Sequence, residues 1–167
     1  VREFLGAQPE SAVRELLDEY INTNQPTSSS NQSFTAIYDL IYANNIELAR
    51  QQFEQLPAEL SDEAEYTQLK SLIEIYEKAK NARNIEVLED LVKQDSDDCQ
   101  ARYEMALQLF CLQKQAESVD ALLTILKQNR NFGDDLARIT LVEIFDALGP
   151  ENEITKVSRK KMFRLLY

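Results

Sequence analysis

The chain has 167 residues, 44% of them hydrophobic, and a net charge of −11. That is enough apolar material for one packed domain and too much for an acidic disordered polymer. The carboxylate surplus repels phosphate, so no nucleic-acid partner is expected. No apolar run reaches the roughly 18 to 20 residues that span a bilayer, and residues 1–6 lack the basic region and apolar core of a signal peptide. These features predict a soluble, cytoplasmic protein with no membrane attachment, and a start at Val1 fits a fragment or a processed form.

Three glycines and four prolines fall where stretches of helical periodicity begin or end, and Ala, Leu, Glu, Gln and Lys fill the spans between them. Apart from a strand stub at residues 1–5, no segment alternates with period two. A first helix is expected over 9–21, with Val13, Leu16, Leu17 and Tyr20 on one face and Pro9 in its first turn. The polar run Asn22 to Ser30 reads as a linker.

Eight helices in four antiparallel pairs are predicted after the linker. Their apolar stripes follow i, i+3, i+4, i+7 spacing. The first pair, 31–43 and 45–56, has Phe34, Ile37, Tyr38 and Ile41, then Ile46, Ala49, Phe53 and Leu56, with Asn44 and Glu47 spaced as a capping box. The second, 62–80 and 84–94, has Tyr66, Leu69, Leu72, Ile73 and Tyr76, then Ile85, Leu88, Leu91 and Val92. The third, 98–112 and 115–128, has Tyr103, Ala106, Leu107 and Phe110, then Val119, Leu122, Leu123 and Leu126. The fourth, 134–148 and 152–166, has Leu136, Ile139, Ile144, Phe145 and Leu148, then Ile154, Val157, Met162, Leu165 and Leu166. Short loops join antiparallel neighbours, and a string of such hairpins is an α-solenoid.

A small residue at a helix crossing with an aromatic or aliphatic four positions on is the pattern of a 34-residue tetratricopeptide repeat. Ala49 and Phe53 carry it in the first pair, Ser118 and Leu122 in the third, and Ala106 takes the small position of the preceding helix. Ala49 and Ser118 lie 69 positions apart, close to two repeats, with an irregular pair between them. The expected class is therefore all-α, a tetratricopeptide-like stack of helical hairpins over 31–167. Folds of this kind usually bind partners on their concave surface.

Catalytic chemistry finds little material. There is no histidine, no Cys-x-x-Cys pair and no glycine-rich phosphate loop, so no enzyme activity, metal or cofactor is expected. Asp95, Asp97 and Asp98 lack the turn glycine and twelfth-position glutamate of a calcium loop and read as a cap for the next helix. Cys99 and Cys111 on one helix would be separated by roughly 18 Å, too far for a disulfide. Cys111 borders the apolar stripe. Cys99, at a helix start, is either a reactive thiol or an ordinary first-turn residue.

From Ile154 to Tyr167 there are five basic side chains (Lys156, Arg159, Lys160, Lys161, Arg164) and no acidic one, leaving the preceding residues at −16. This tail is either a docking element or a complement to a helix dipole. Met162, Phe163, Leu165, Leu166 and Tyr167 make it apolar as well as basic, and an exposed Phe163 or Tyr167 would be a partner anchor.

Two stretches carry a family resemblance. Phe4-Leu5-Gly6-Ala7-Gln8-Pro9-Glu10 with Leu16-Leu17 resembles the last strand and helix of a thioredoxin domain. Asn131-Phe132-Gly133-Asp134-Asp135, Ala137-Arg138, Phe145-Asp146-Ala147-Leu148-Gly149-Pro150, Arg159-Lys160 and Leu165-Leu166-Tyr167 resemble, in that order, the C-terminal region of the YbbN family of bacterial proteins, also called CnoX. The resemblance implies a thioredoxin remnant at 1–21, a linker at 22–30 and a tetratricopeptide domain at 31–167. It implies a holdase and co-chaperone that links unfolded client proteins to the chaperonin and to DnaK-type chaperones in stress. On this chain Arg159, Lys160, Phe163, Arg164 and Tyr167 of the last helix would bind the partner. The thioredoxin active-site pair is absent, and Ser158 stands where the family more often has Tyr. A generic scaffold binding a peptide in its concave groove is the alternative.

Overall fold

The computed structural model describes residues 27–167, with side chains from residue 32. The expected strand stub, the helix at 9–21 and the thioredoxin remnant lie outside the described residues. Eight α-helices follow in chain order: α1 Thr27–Tyr42, α2 Ile46–Glu54, α3 Ala64–Lys80, α4 Ile85–Gln94, α5 Cys99–Cys111, α6 Gln115–Gln128, α7 Leu136–Leu148 and α8 Glu153–Leu166, with a 3₁₀ turn at Ala58–Leu60 behind Pro57. No strand occurs among the described residues. The eight helices fall within a few residues of their predicted positions. α1 starts at Thr27, so the last four residues of the expected linker are helical.

Two of the predicted hairpins form as expected, and they are built alike. α1 ends on Asn44 at φ 59° and α5 ends on Gln113 at φ 63°. In the first turn the Asn45 N–H donates to the Leu40 carbonyl at 2.8 Å and the Asn44 N–H to Ile41 at 2.9 Å. In the second, Lys114 donates to Leu109 at 2.9 Å and Gln113 to Phe110 at 3.0 Å. Both are Schellman closures with a left-handed residue just past the helix. The predicted capping box is therefore not formed. Asn44 is spent on the turn, and Asn45, next to α2, makes no side-chain cap. Each hairpin buries a small residue at its crossing: Ala49 in α2 and Ser118 in α6 are both fully buried.

The other two pairs correct the sequence reading. α3 and α4 do not pack on each other as a hairpin, and α7 and α8 touch little. Instead α3 lies along α7, α4 rests on α5, and α8 rests mainly on α6. The α3–α7 contact is antiparallel: a Cβ on Gly149, just past α7, would stand 2.8 Å from Gln68 near the start of α3, and Lys78 near its end pairs with Glu143. With α5 packed on both α3 and α6, and α6 on α7, the helices α3, α5, α6 and α7 close a ring.

Burial follows this arrangement. α3 touches α1, α2, α5 and α7, so it buries Ser71, Ile75 and Ala79 beyond its predicted stripe of Leu69, Leu72, Ile73 and Tyr76. α4 lies outside the ring and buries only Leu88. In α7 the buried face is Ala137, Thr140, Leu141, Ile144 and Phe145, whereas Ile139 is 41% exposed. The sequence stripe took the wrong register at Ile139 because it followed bulk, and the inner face holds the small Ala137 and Thr140, the latter met by the Tyr103 hydroxyl of α5. Polar contacts hold the layers in place. Arg50 of α2 pairs with Glu77 of α3, and Arg83 grips Glu104 of α5 through two nitrogens, at 2.8 and 3.1 Å. Among the described residues no helix is long and apolar enough to cross a membrane.

Candidate functional site

α8 starts on a side-chain cap, with Asn152 accepting from the Ile154 N–H at 2.9 Å. Its fully buried side chains are the small hydroxyls Thr155 and Ser158, which let it approach α6 closely, while Ile154, Met162 and Leu165 are half-buried against the core. A helix seated on such residues keeps its opposite face in water. Val157, predicted for the inner stripe, is half exposed.

The outward face collects most of the predicted partner-binding residues. Phe163 is 62% exposed and Tyr167 91%, and their rings meet at 4.8 Å between centroids. Lys160 and Arg164 lie on the same side by helical spacing. Both are exposed and neither makes an ion pair among the described residues. Two large apolar rings held in water beside two uncompensated cations are arranged to meet a surface that is apolar in its centre and acidic at its edge. Cations in the last turns of a helix also complement its dipole.

Arg159 does not belong to this face. It turns back to the body, its guanidinium 5.6 Å from the Phe145 ring centroid and 3.5 Å from Asp146. Its role is to fasten α8 to α7. Lys161 does the same toward α6, 3.3 Å from Asp120, and Lys156 is held by Glu151 at 3.1 Å and Glu153 at 3.4 Å. The basic tail thus divides into two tethers, one lysine paired locally and two cations with no ion pair among the described residues. The sequence listing of five like charges could not separate them, although the acidic residues at 120 and 146 are the signal that would have done so.

Cys99 is the first residue of α5, as expected, but its thiol is not activated. Burial pushes its pKa up, and Asp97, Asp98 and Asp95 add to this while Arg102 opposes it. A client-trapping thiol needs the opposite direction. Asp98 caps α5, accepting from the Ala101 N–H, and Asp95 closes the turn before it, accepting from the Asp97 N–H, both at 2.9 Å. Cys111 is half-buried and burial pushes it up to about 11. Both cysteines are free. No group of three His, Cys, Asp or Glu side chains among the described residues is placed to hold a metal ion.

Comparison with solved structures finds a domain of a protein of unknown function from Vibrio parahaemolyticus RIMD 2210633. It is 25% identical, with 94% of this chain and 97% of that chain covered and a TM-score of 0.46. No curated protein matches the chain. The family model described as Tetratricopeptide repeat matches residues 78–167, more than half of the chain. That span runs from the end of α3 through α8 and contains the α5/α6 hairpin with Ser118 at its crossing, and the chain belongs to the tetratricopeptide repeat family.

Proposed function

We propose that this chain is the interaction module of a YbbN/CnoX-like thioredoxin co-chaperone, and that α8 is the element that docks it to a chaperonin. Tetratricopeptide repeat domains are in general protein-binding scaffolds rather than catalysts, and the family membership supports that coarser statement by itself. The finer reading rests on the C-terminal sequence resemblance for the partner and on α8 for the surface. The observation that carries it is the exposed Phe163–Tyr167 ring pair flanked by the unpaired Lys160 and Arg164. Aromatic side chains with an adjacent cation are the residue types that dominate binding energy at protein interfaces.

In this reading the body of the protein keeps unfolded clients near the chaperonin while α8 holds on, and DnaK-type chaperones compete for the same clients. The chain needs no reactive group or cofactor for that work. The test is capture of the chain by immobilised chaperonin, comparing the parent with a Phe163→Ala/Tyr167→Ala double variant and with Lys160→Glu/Arg164→Glu. These side chains are in water, so the fold should survive the change, and circular dichroism checks that it does. Capture should fall at least ten-fold for both variants. Equal capture by folded variants would remove α8 as the docking element.

A further inference from the structure

We propose that a cleft at the turn end of the molecule, walled by the two Schellman turns, binds an extended and uncharged segment of a partner polypeptide. This rests on the reading of the chain as a protein-binding module but not on docking through α8, which contributes no residue to the cleft.

The cleft consists of two adjoining cavities, of about 320 and 520 Å³, that share Asn44, Tyr76, Gln108 and Cys111. Together they form a trough from the α1–α2 turn, across the last turns of α3, to the end of α5. Asn44 and Gln113, the two left-handed turn residues 69 positions apart, both line it. Glycine is the residue that takes this backbone state freely, and glutamine in particular does not. A carboxamide stands at both places, asparagine tolerating the left-handed state and glutamine holding it at the expense of turn stability, and both side chains border the same trough. A conformational penalty borne by Gln113, at a position equivalent to Asn44 and facing the same cavity, is a reason to look for what those side chains bind.

The lining defines the ligand. Asn44, Asn45, Gln108 and Gln113 present four carboxamides, each able to donate and accept, which is the pattern a peptide backbone requires. Gln108 is oriented by donating to the Ala79 carbonyl at 3.3 Å, and Gln113 by donating to the Tyr76 hydroxyl at 3.4 Å and accepting from Gln115 at 3.0 Å. The side chains of Asn44 and Asn45 make no hydrogen bond among the described residues. The only charged groups are Glu47 and Lys80, and they neutralise each other at 2.7 Å. Burial keeps Cys111 and Tyr76 protonated, pushing them up to about 11 and about 12. On a chain of net charge −11 this is a neutral trough, and it disfavours a charged occupant of either sign. At its open end Tyr42 and Leu112, 59% and 53% exposed, offer an apolar seat for one side chain of the segment.

The experiment titrates the ¹⁵N-labelled chain with an N-acetylated, C-amidated octapeptide of serine, glycine and alanine around a central leucine. Saturable shifts are expected in the side-chain amide resonances of Asn44, Asn45, Gln108 and Gln113, and aspartate in place of the central leucine should weaken binding at least ten-fold. The variant Asn44→Gly/Gln113→Gly gives both turns the residue they prefer, so it should melt at or above the parent temperature while binding falls at least ten-fold. Gln108→Leu, which leaves the turns alone, should weaken binding too. Phe163→Ala/Tyr167→Ala should leave peptide binding unchanged, which separates this site from α8 docking. Undiminished binding by the glycine variant, equal binding of the aspartate peptide, or shifts confined to α8 would each overturn the proposal.

Discussion

Tyr103 of α5 and Thr140 of α7 share a hydrogen bond of 3.2 Å between their hydroxyls, and both residues are buried. Either oxygen can be the donor, and neither has water to fall back on. Replacing Thr140 with valine keeps the shape and strands the Tyr103 hydroxyl, a loss of about 1–3 kcal/mol. Tyr103→Phe strands the threonine in turn. The double variant should cost less than the two single losses added together, because the second change removes the group the first left unpaired. Urea unfolding of the four proteins measures this, and simple additivity would mean that the contact contributes nothing.

Ser118 illustrates the opposite situation. Its hydroxyl is buried at the α5/α6 crossing with no hydrogen-bond partner, and so is that of Thr155. The equivalent position of the α1/α2 hairpin holds Ala49, also fully buried. Ser118→Ala removes an unpaired polar atom and keeps the close approach, so it should stabilise the chain by about 1 kcal/mol. A fall in the urea midpoint would show that the serine is hydrogen-bonded after all.

The register of α7 is testable by a pair of truncations. Leu141 is fully buried inside the ring, and Leu141→Ala should cost about 2–5 kcal/mol. Ile139, two residues earlier, faces outward, and Ile139→Ala should cost less than about 1 kcal/mol. Comparable losses in thermal melts would restore the stripe that the sequence pattern favoured.

Glu104 sets an acid limb. Its hydrogen bonds to the Arg83 side chain hold its carboxyl well below the ordinary range, at about 2, with Gln100 and the Arg83 backbone N–H adding to the effect. The folded state therefore binds this proton less readily than the unfolded chain does. The stabilisation is complete above about pH 5, shrinks as pH falls below the ordinary glutamate value near 4.3, and is gone below about 2. Arg83 is partly exposed, which limits the contribution to about 1 kcal/mol. Glu104→Gln should flatten the stability profile between pH 5 and 2 while leaving the rest of the acid limb in place. An unchanged profile would show that the pair is solvated and silent.

How much of this could be read in the sequence depends on whether an interaction is local. The eight helices were legible because their stripes, their good helix formers and the Gly and Pro punctuation all act within a few residues. The likeness of the first and third hairpins was legible through Ala49 and Ser118. The partner of α3 was not. Nothing near Leu69 or Ile75 announces that the far side of that helix will be covered by residues some 70 positions later, and the assumption of neighbouring hairpins filled the gap wrongly. Within α7, Ile144 and Phe145 are buried as expected, but Ile139 was misplaced for the same reason, since Ala137 and Thr140 are inner residues only once α3 and α6 pack on that helix and Tyr103 reaches Thr140. At the candidate site, Phe163 and Tyr167 stood out as large apolar residues among charges. The difference between a tethered Arg159 and a free Arg164 needed the positions of Phe145 and Asp146 in space.

The contact between α3 and α7 has a consequence for how the protein can be cut or extended. In an ordinary repeat array each unit leans only on its neighbours, so the ends fray and units can be removed one at a time. Here a wall built from residues 64–80 is completed by residues 136–148, and forming it means closing a loop of more than fifty residues. Trimming the chain from its C-terminal side past α8 would open the interior at its middle rather than shorten a rod, and melting should be all-or-none. New modules would have to be grafted outside the ring, beyond α4 or α8, where the helices have least to lose.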